Sequence, residues 1–76
     1  MDAYQNLANA IIILAAKDYR AALRRYKKFP NDADNIRALE ELEKFFLSDW
    51  FQLLSDLDGE QLMLDIEKLV YGKKVA

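Results

Sequence analysis

The chain contains no histidine, no cysteine and no threonine, and its only serines are Ser48 and Ser55. Nucleophilic catalysis normally pairs a Ser, Cys or Thr side chain with a base, most often His, so its usual residues are missing. Zinc sites and most transition-metal sites also depend on His or Cys ligands. We therefore expect a protein that is not an enzyme and that has no catalytic residue, no metal and no cofactor.

Long apolar runs and export signals are missing as well. The longest apolar run covers residues 10–16, whereas a membrane span needs about 20 residues. Asp2 stands near the start with no early Lys or Arg, so we expect no signal peptide, whose first segment is basic. These features predict a cytoplasmic protein that does not associate with membranes, and the lack of cysteine agrees with that compartment.

The length and the apolar content predict one small domain. The chain has 76 residues, of which 53% are hydrophobic, and a domain of this size buries only about 60% of the surface that its unfolded chain exposes. We expect a single helical domain over residues 1–72 and a frayed C-terminal tail over residues 73–76. Small cores often gain stability by oligomerisation, so a homodimer is an open alternative.

The first predicted helix covers about residues 3–28, which contain no Gly or Pro. Apolar side chains recur there at spacings of three and four, the period of a helix face. They are Tyr4, Leu7, Ile11, Leu14, Ala15, Tyr19, Ala22, Leu23 and Tyr26. Pro30 then disfavours a helical conformation at the residue before it, and Asn31 or Asp32 can cap a second helix that begins near Ala33.

The apolar stripe of the second helix does not establish at which residue that helix ends. Its members are Ile36, Leu39, Leu42 and Phe46, with Trp50, Leu53 and Leu57 following at compatible spacing. The helix either runs unbroken to Ser55 or stops near Leu47 and restarts with Ser48 as a cap. We favour the restart, because Ser48 and Asp49 have the residue types of a helix N-terminus.

The last predicted helix runs from about Gly59 to Tyr71, with Asp58 as its cap and Gly72 after its end. Its inward stripe is Leu62, Ile66 and Leu69. The predicted fold is therefore all-α. It is a small helical bundle in which a long antiparallel helical hairpin is followed by one or two short C-terminal helices.

Charge divides between two parts of the chain. Residues 17–28 carry a net charge of +5 and residues 32–68 a net charge of −8, within an overall charge of −2. The basic segment has the composition of an anion- or nucleotide-binding surface. The candidate residues are Lys17, Arg20, Arg24, Tyr26 and Lys27. The favoured interpretation is a solvated face neutralised by the acidic segment, and the net negative charge of the whole chain disfavours a nucleic-acid partner.

The acidic segment has two interpretations of its own. Its carboxylates either imitate a nucleic-acid backbone on a target protein or serve the solubility of a small domain. The second interpretation is favoured by the modest overall charge.

Residues 45–51 contain four aromatic side chains within seven positions. On one continuous helix, Phe46 and Trp50 would share a side while Phe45 and Phe51 would point elsewhere. We predict that at least one ring stays exposed, and an exposed ring offers an apolar contact surface for another protein or a second copy. The candidate contact residues are Phe45, Trp50 and Phe51, with Asp49 at the rim. Packing in the core and between helices is the favoured interpretation of the segment as a whole.

Four segments resemble a group of short uncharacterised proteins encoded in prophages and integrative elements of Gram-positive gut bacteria. They are residues 18–23, residues 41–46, residues 48–51 and residues 57–60, and the resemblance covers about residues 10–66. It implies a small accessory protein of a mobile element. Such proteins are often inhibitors or regulators of host machinery, including anti-CRISPR factors and proteins that sequester nucleotide signals.

These observations lead to two expectations about function. The first is a non-enzymatic protein that binds another macromolecule, with a protein as the expected partner. The second is an anion- or nucleotide-binding protein that uses the basic face of the first helix.

Overall fold

The computed structural model describes residues 3–72, and these form four α-helices and no strand. The helices are α1 (Ala3–Lys28), α2 (Ala33–Phe46), α3 (Asp49–Leu54) and α4 (Gly59–Tyr71). The predicted all-α fold is confirmed, as are the bounds of the first and last helices. The predicted tail at residues 73–76 lies outside the described residues. None of the described helices is both long and apolar enough to cross a membrane.

Asp32 fixes the turn between α1 and α2. Its carboxylate accepts hydrogen bonds from the backbone N–H groups of Asp34 at 3.1 Å and Asn35 at 3.3 Å, which makes it the N-cap of α2. The Arg25 guanidinium donates to the same carboxylate at 2.7 Å. Because Arg25 and these backbone donors stabilise the charged form, the pKa of the Asp32 carboxyl lies below its usual value. The end of α1 is thereby tied to the start of α2.

Helices α1 and α2 form the predicted antiparallel hairpin. The Asn35 side-chain amide donates to the backbone carbonyl of Ala22 at 2.9 Å, and Tyr19 contacts Glu43 further along α2. Later residues of α2 contact earlier residues of α1, which is the antiparallel arrangement. The arms are unequal, since α1 has 26 residues and α2 has 14. Helices α3 and α4 also pack against α1.

Ser48 interrupts the second arm, so the favoured restart is confirmed. Its hydroxyl accepts a hydrogen bond from the Phe51 backbone N–H at 3.1 Å and donates to the Phe45 carbonyl at 2.6 Å. The break changes which residues face inward. Phe46 is buried, whereas Trp50 is 59% and Leu53 76% exposed. Phe46 and Trp50 therefore do not share a side, as they would on one continuous helix.

The core contains buried apolar residues from all four helices. Its buried apolar members are Ala8, Ile12, Tyr19, Ala22, Leu23, Leu39, Phe46, Phe51, Leu54 and Ile66. Gly59 allows α4 to begin against this core, because a Cβ atom there would overlap the carbonyl oxygen of Phe46. No larger residue fits at that position without a shift of the backbone.

Several residues that were predicted to face inward are exposed instead: Tyr4, Leu7, Leu14, Leu57 and Leu69. On α1 the buried line runs through Ala8, Ile12 and Tyr19. The exposed α1 residues lie to one side of that line, because successive helical positions are rotated by about 100°. The apolar band of α1 is therefore wider than the part that the fold covers.

Candidate functional site

Trp50 and Leu53 form an exposed apolar surface on α3, called here the α3 surface. They are three residues apart and so lie on one face of the helix, while Phe51 and Leu54 face the core. Asp49, the first residue of α3, is also exposed. Of the predicted contact residues, Trp50 and Asp49 are thus accessible to a partner.

Trp50 packs against Phe45, whose ring also contacts Phe51 in the core. The half-buried Phe45 ring lies 6.3 Å from the Trp50 ring and 5.7 Å from the Phe51 ring, both in edge-to-face geometry. Phe51 has no accessible surface. It is therefore a core residue, and its prediction as a surface contact is corrected. Phe45 contributes by holding Trp50 in place.

The first half of α1 carries a second apolar surface, called here the α1 stripe. It consists of Tyr4, Leu7, Ile11 and Leu14, whose spacings of three and four place them on one side of the helix. Ile11 is half-buried, and the other three are exposed. Residues 3–16 contain no charged side chain, so an apolar contact on this half of α1 buries no charge.

The second half of α1 presents the predicted basic face. Lys17, Arg20 and Arg24 are exposed and form no ion pair with any residue that the structure describes. Arg24 also lines a shallow depression of ≈ 340 Å³ together with Lys27 and Lys28. Lys27 is partly engaged, because its ammonium donates to the Val70 carbonyl at 3.0 Å. Four of the five predicted anion-binding residues thus lie on accessible basic surface.

Tyr26, the fifth predicted anion-binding residue, lies in a different place. It lines a groove of ≈ 400 Å³ between α1, α2 and α4, called here the tyrosine groove. The lining residues are Tyr19, Leu23, Tyr26, Ile36, Leu39, Glu40, Glu43, Glu67 and Tyr71. All the charged residues in this set are carboxylates. An anion is therefore disfavoured beside Tyr26.

The Tyr19 hydroxyl lies at the floor of the tyrosine groove, where three helices meet. Its oxygen is 2.8 Å from Glu67 Oε2 and 3.2 Å from Glu43 Oε2. Tyr19 has no accessible surface. Burial and, next, the hydrogen bond to Glu67 raise the pKa of the Tyr19 hydroxyl far above its usual range. The hydroxyl therefore stays protonated and acts as a donor to carboxylates.

The sequence interpretation missed this groove. Glu43 and Glu67 are 24 and 48 residues from Tyr19 in the chain, and each is unremarkable among many surface acids. The available signal was the spacing of Tyr19, Leu23 and Tyr26, which places two phenol rings on one face of α1. From the sequence, Tyr19 belongs to an apolar helix face and Tyr26 is also an anion-binding candidate, and neither prediction indicates a groove.

Among residues 3–72, no cluster of three or more acidic side chains has an arrangement that holds a metal ion. Comparison with known proteins finds no match to any family model, curated protein or solved structure.

Proposed function

We propose that this chain is a non-enzymatic interaction protein that binds another protein through the α3 surface and the α1 stripe. The observation that carries the proposal is the large number of exposed apolar side chains relative to the number of buried ones. In the described part of the chain, thirteen large apolar side chains are exposed, whereas ten apolar residues are buried in the core. Single exposed apolar residues are ordinary, but contiguous apolar surfaces on a small domain are typical of binding sites.

The proposed partner presents the apolar face of an amphipathic helix. The α1 stripe offers about three turns of uncharged helix with anchors at spacings of three and four, which matches the anchor spacing of helix-mediated recognition. Trp50 supplies a large ring held by Phe45, and tryptophan is enriched among the residues that dominate binding energy. Asp49 contributes a polar rim. The resemblance to short prophage proteins supports an accessory role that acts on host machinery in the cytoplasm.

The proposal is tested by capture from a bacterial lysate with a tagged protein at moderate and high salt. The wild-type chain is compared with a Trp50→Gln/Leu53→Gln variant. Leu69→Gln serves as the matched control, because Leu69 is an equally exposed apolar residue on another helix. The proposal requires a stoichiometric protein that the wild type and Leu69→Gln retain at high salt and the double variant loses. Equal retention by all three proteins, or no retained protein, contradicts it.

Sedimentation of the purified proteins identifies whether the partner is a second copy of this chain. A self-associating wild type and a monomeric Trp50→Gln/Leu53→Gln variant would assign the α3 surface to a homodimer. A monomeric wild type leaves the surface available for a different protein.

A second candidate function is anion or nucleotide binding at the basic face. The observation that favours it is the exposure of Lys17, Arg20 and Arg24 without ion-pair partners in the described chain. A nucleotide at 100 times its Kd would stabilise the fold by about 2.7 kcal/mol. A thermal-shift screen with nucleotides and cyclic nucleotides tests this, with Arg24→Gln expected to remove the shift and the exposed Arg37→Gln to retain it. The absence of a shift with any nucleotide counts strongly against this candidate.

A further inference from the structure

The tyrosine groove concentrates negative charge, and its carboxylates form no ion pair with any described basic residue. Glu40, Glu43 and Glu67 line the groove, and none of its lining residues is Lys or Arg. The Lys27 ammonium lies over the ring of Tyr71, but it forms no ion pair with these carboxylates. This differs from the turn at Asp32, where Arg25 neutralises the carboxylate directly. The groove is thus electrostatically suited to a positively charged group from outside the chain.

At the floor of the groove, hydrogen-bond acceptors outnumber hydrogen-bond donors. A phenol carries one O–H proton, and an ionised carboxylate carries none. The Tyr19 hydroxyl can therefore donate to Glu67 at 2.8 Å or to Glu43 at 3.2 Å, but not to both at once. Two carboxylates converge on one donor, and each has further lone pairs to satisfy. A group with several N–H donors complements this arrangement.

The upper walls of the groove are aromatic. Tyr26 and Tyr71 both line it and are partly exposed. The ring of Tyr71 already attracts one cation, since Lys27 Nζ lies 5.5 Å from its centroid. Faces of tyrosine rings attract cations, with Arg the more frequent partner. The walls and the floor therefore favour the same class of ligand by different physical interactions.

We propose that the tyrosine groove binds a guanidinium group of the kind carried by an arginine side chain. A guanidinium is planar, so it stacks on tyrosine, and it presents five N–H donors that suit two carboxylates on different helices. The groove volume of ≈ 400 Å³ accommodates one such side chain. This inference is independent of the α3 surface and the α1 stripe, because none of their residues lines the groove.

Isothermal titration with N-acetyl-arginine amide tests the proposal on the full chain. The matched ligand control is N-acetyl-citrulline amide, which has a similar shape but no charge. A Glu43→Gln/Glu67→Gln variant is expected to bind the arginine probe at least about tenfold more weakly, because it loses charge-assisted hydrogen bonds. Tyr71→Leu is expected to weaken binding by about threefold through loss of a cation–π contact. Glu41→Gln, which removes a carboxylate from α2 outside the groove, is expected to bind as the wild type does.

Circular dichroism melting of each variant establishes that it is folded before titration. Equal binding of the citrulline probe, or equal loss of affinity in Glu41→Gln, overturns the proposal, as does the absence of arginine binding to the wild type. A short peptide with one central arginine then separates two sources of the ligand. Affinity equal to that of the blocked amino acid assigns recognition to the guanidinium compound alone. Tighter binding assigns it to an arginine within a polypeptide.

Discussion

Replacing Tyr19 with phenylalanine tests the three-helix junction at its centre. The substitution keeps the buried ring and its edge-to-face contact with Phe46 at 5.6 Å, but it removes the hydroxyl that reaches Glu43 and Glu67. Hydrogen bonds to charged groups contribute about 1.5–3 kcal/mol each. Because both carboxylates are only partly buried and can turn toward water, we expect a loss of about 1.5 kcal/mol, the lower end of that range.

The same substitution should change how stability depends on pH. The pKa of the Tyr19 hydroxyl is raised in the folded protein, whereas an unfolded tyrosine has a pKa of about 10. Above that pH the folded state binds a proton that the unfolded state has lost, so stability falls as pH rises, by up to about 1.4 kcal/mol per pH unit. Below about pH 10 the stabilisation is fully present. Tyr19→Phe lacks this dependence, so the two stability curves should cross near pH ~11.

Urea denaturation followed by far-ultraviolet circular dichroism measures both effects, at pH 8 and at intervals up to pH 11. Tyr4→Phe is the control, because it removes a hydroxyl from an exposed ring and should change stability at pH 8 by less than about 0.5 kcal/mol. Equal stability of Tyr19→Phe and the wild type at pH 8, or a constant difference up to pH 11, would refute the proposed role of the hydroxyl.

Two further substitutions test the helix starts. Gly59→Ala places a methyl group against the Phe46 carbonyl. Because the backbone must move, we expect the free energy of unfolding to fall by about 3 kcal/mol, the upper part of the usual range for overpacking. Chemical denaturation measures the loss beside the exposed-site variant Glu60→Ala, and an equal loss in both variants would contradict the close approach. Ser48→Ala removes the cap hydrogen bond from Phe51 and the bond to the Phe45 carbonyl, and it should cost about 1 kcal/mol. Ser48→Thr keeps a hydroxyl that can both accept and donate, so it should recover most of that loss. An unchanged midpoint in Ser48→Ala would exclude a capping role.

The helix ends were predictable because each has a local cause. Asp32, Ser48 and Asp58 accept hydrogen bonds from the backbone N–H groups that begin α2, α3 and α4. Gly72 follows α4 with a φ of 85°, a conformation that favours glycine. These interactions involve residues within a few positions of each other, so the residue types reveal them without any knowledge of the tertiary structure.

The orientation of the helices was less predictable because it depends on distant partners. In the first half of α1, apolar residues surround most of the helix, so their pattern cannot distinguish the line through Ala8 and Ile12 from the line through Leu7 and Leu14. Packing against the other helices determines that the line through Ala8 and Ile12 is buried. At α3 the restart at Ser48 shifts the helical phase by about one residue, which buries Phe51 in place of Trp50.

The exposed Trp50 and the tyrosine groove have the same structural origin. A continuous second helix would have placed Trp50 with Phe46 on one face. The break instead allows α3 to fold back on α1 and lets α4 begin against Phe46 at Gly59. That position of α4 brings Glu67 to within 2.8 Å of the Tyr19 hydroxyl. The break at Ser48 therefore contributes to both surfaces, and neither could be derived from a helical pattern that passes through it.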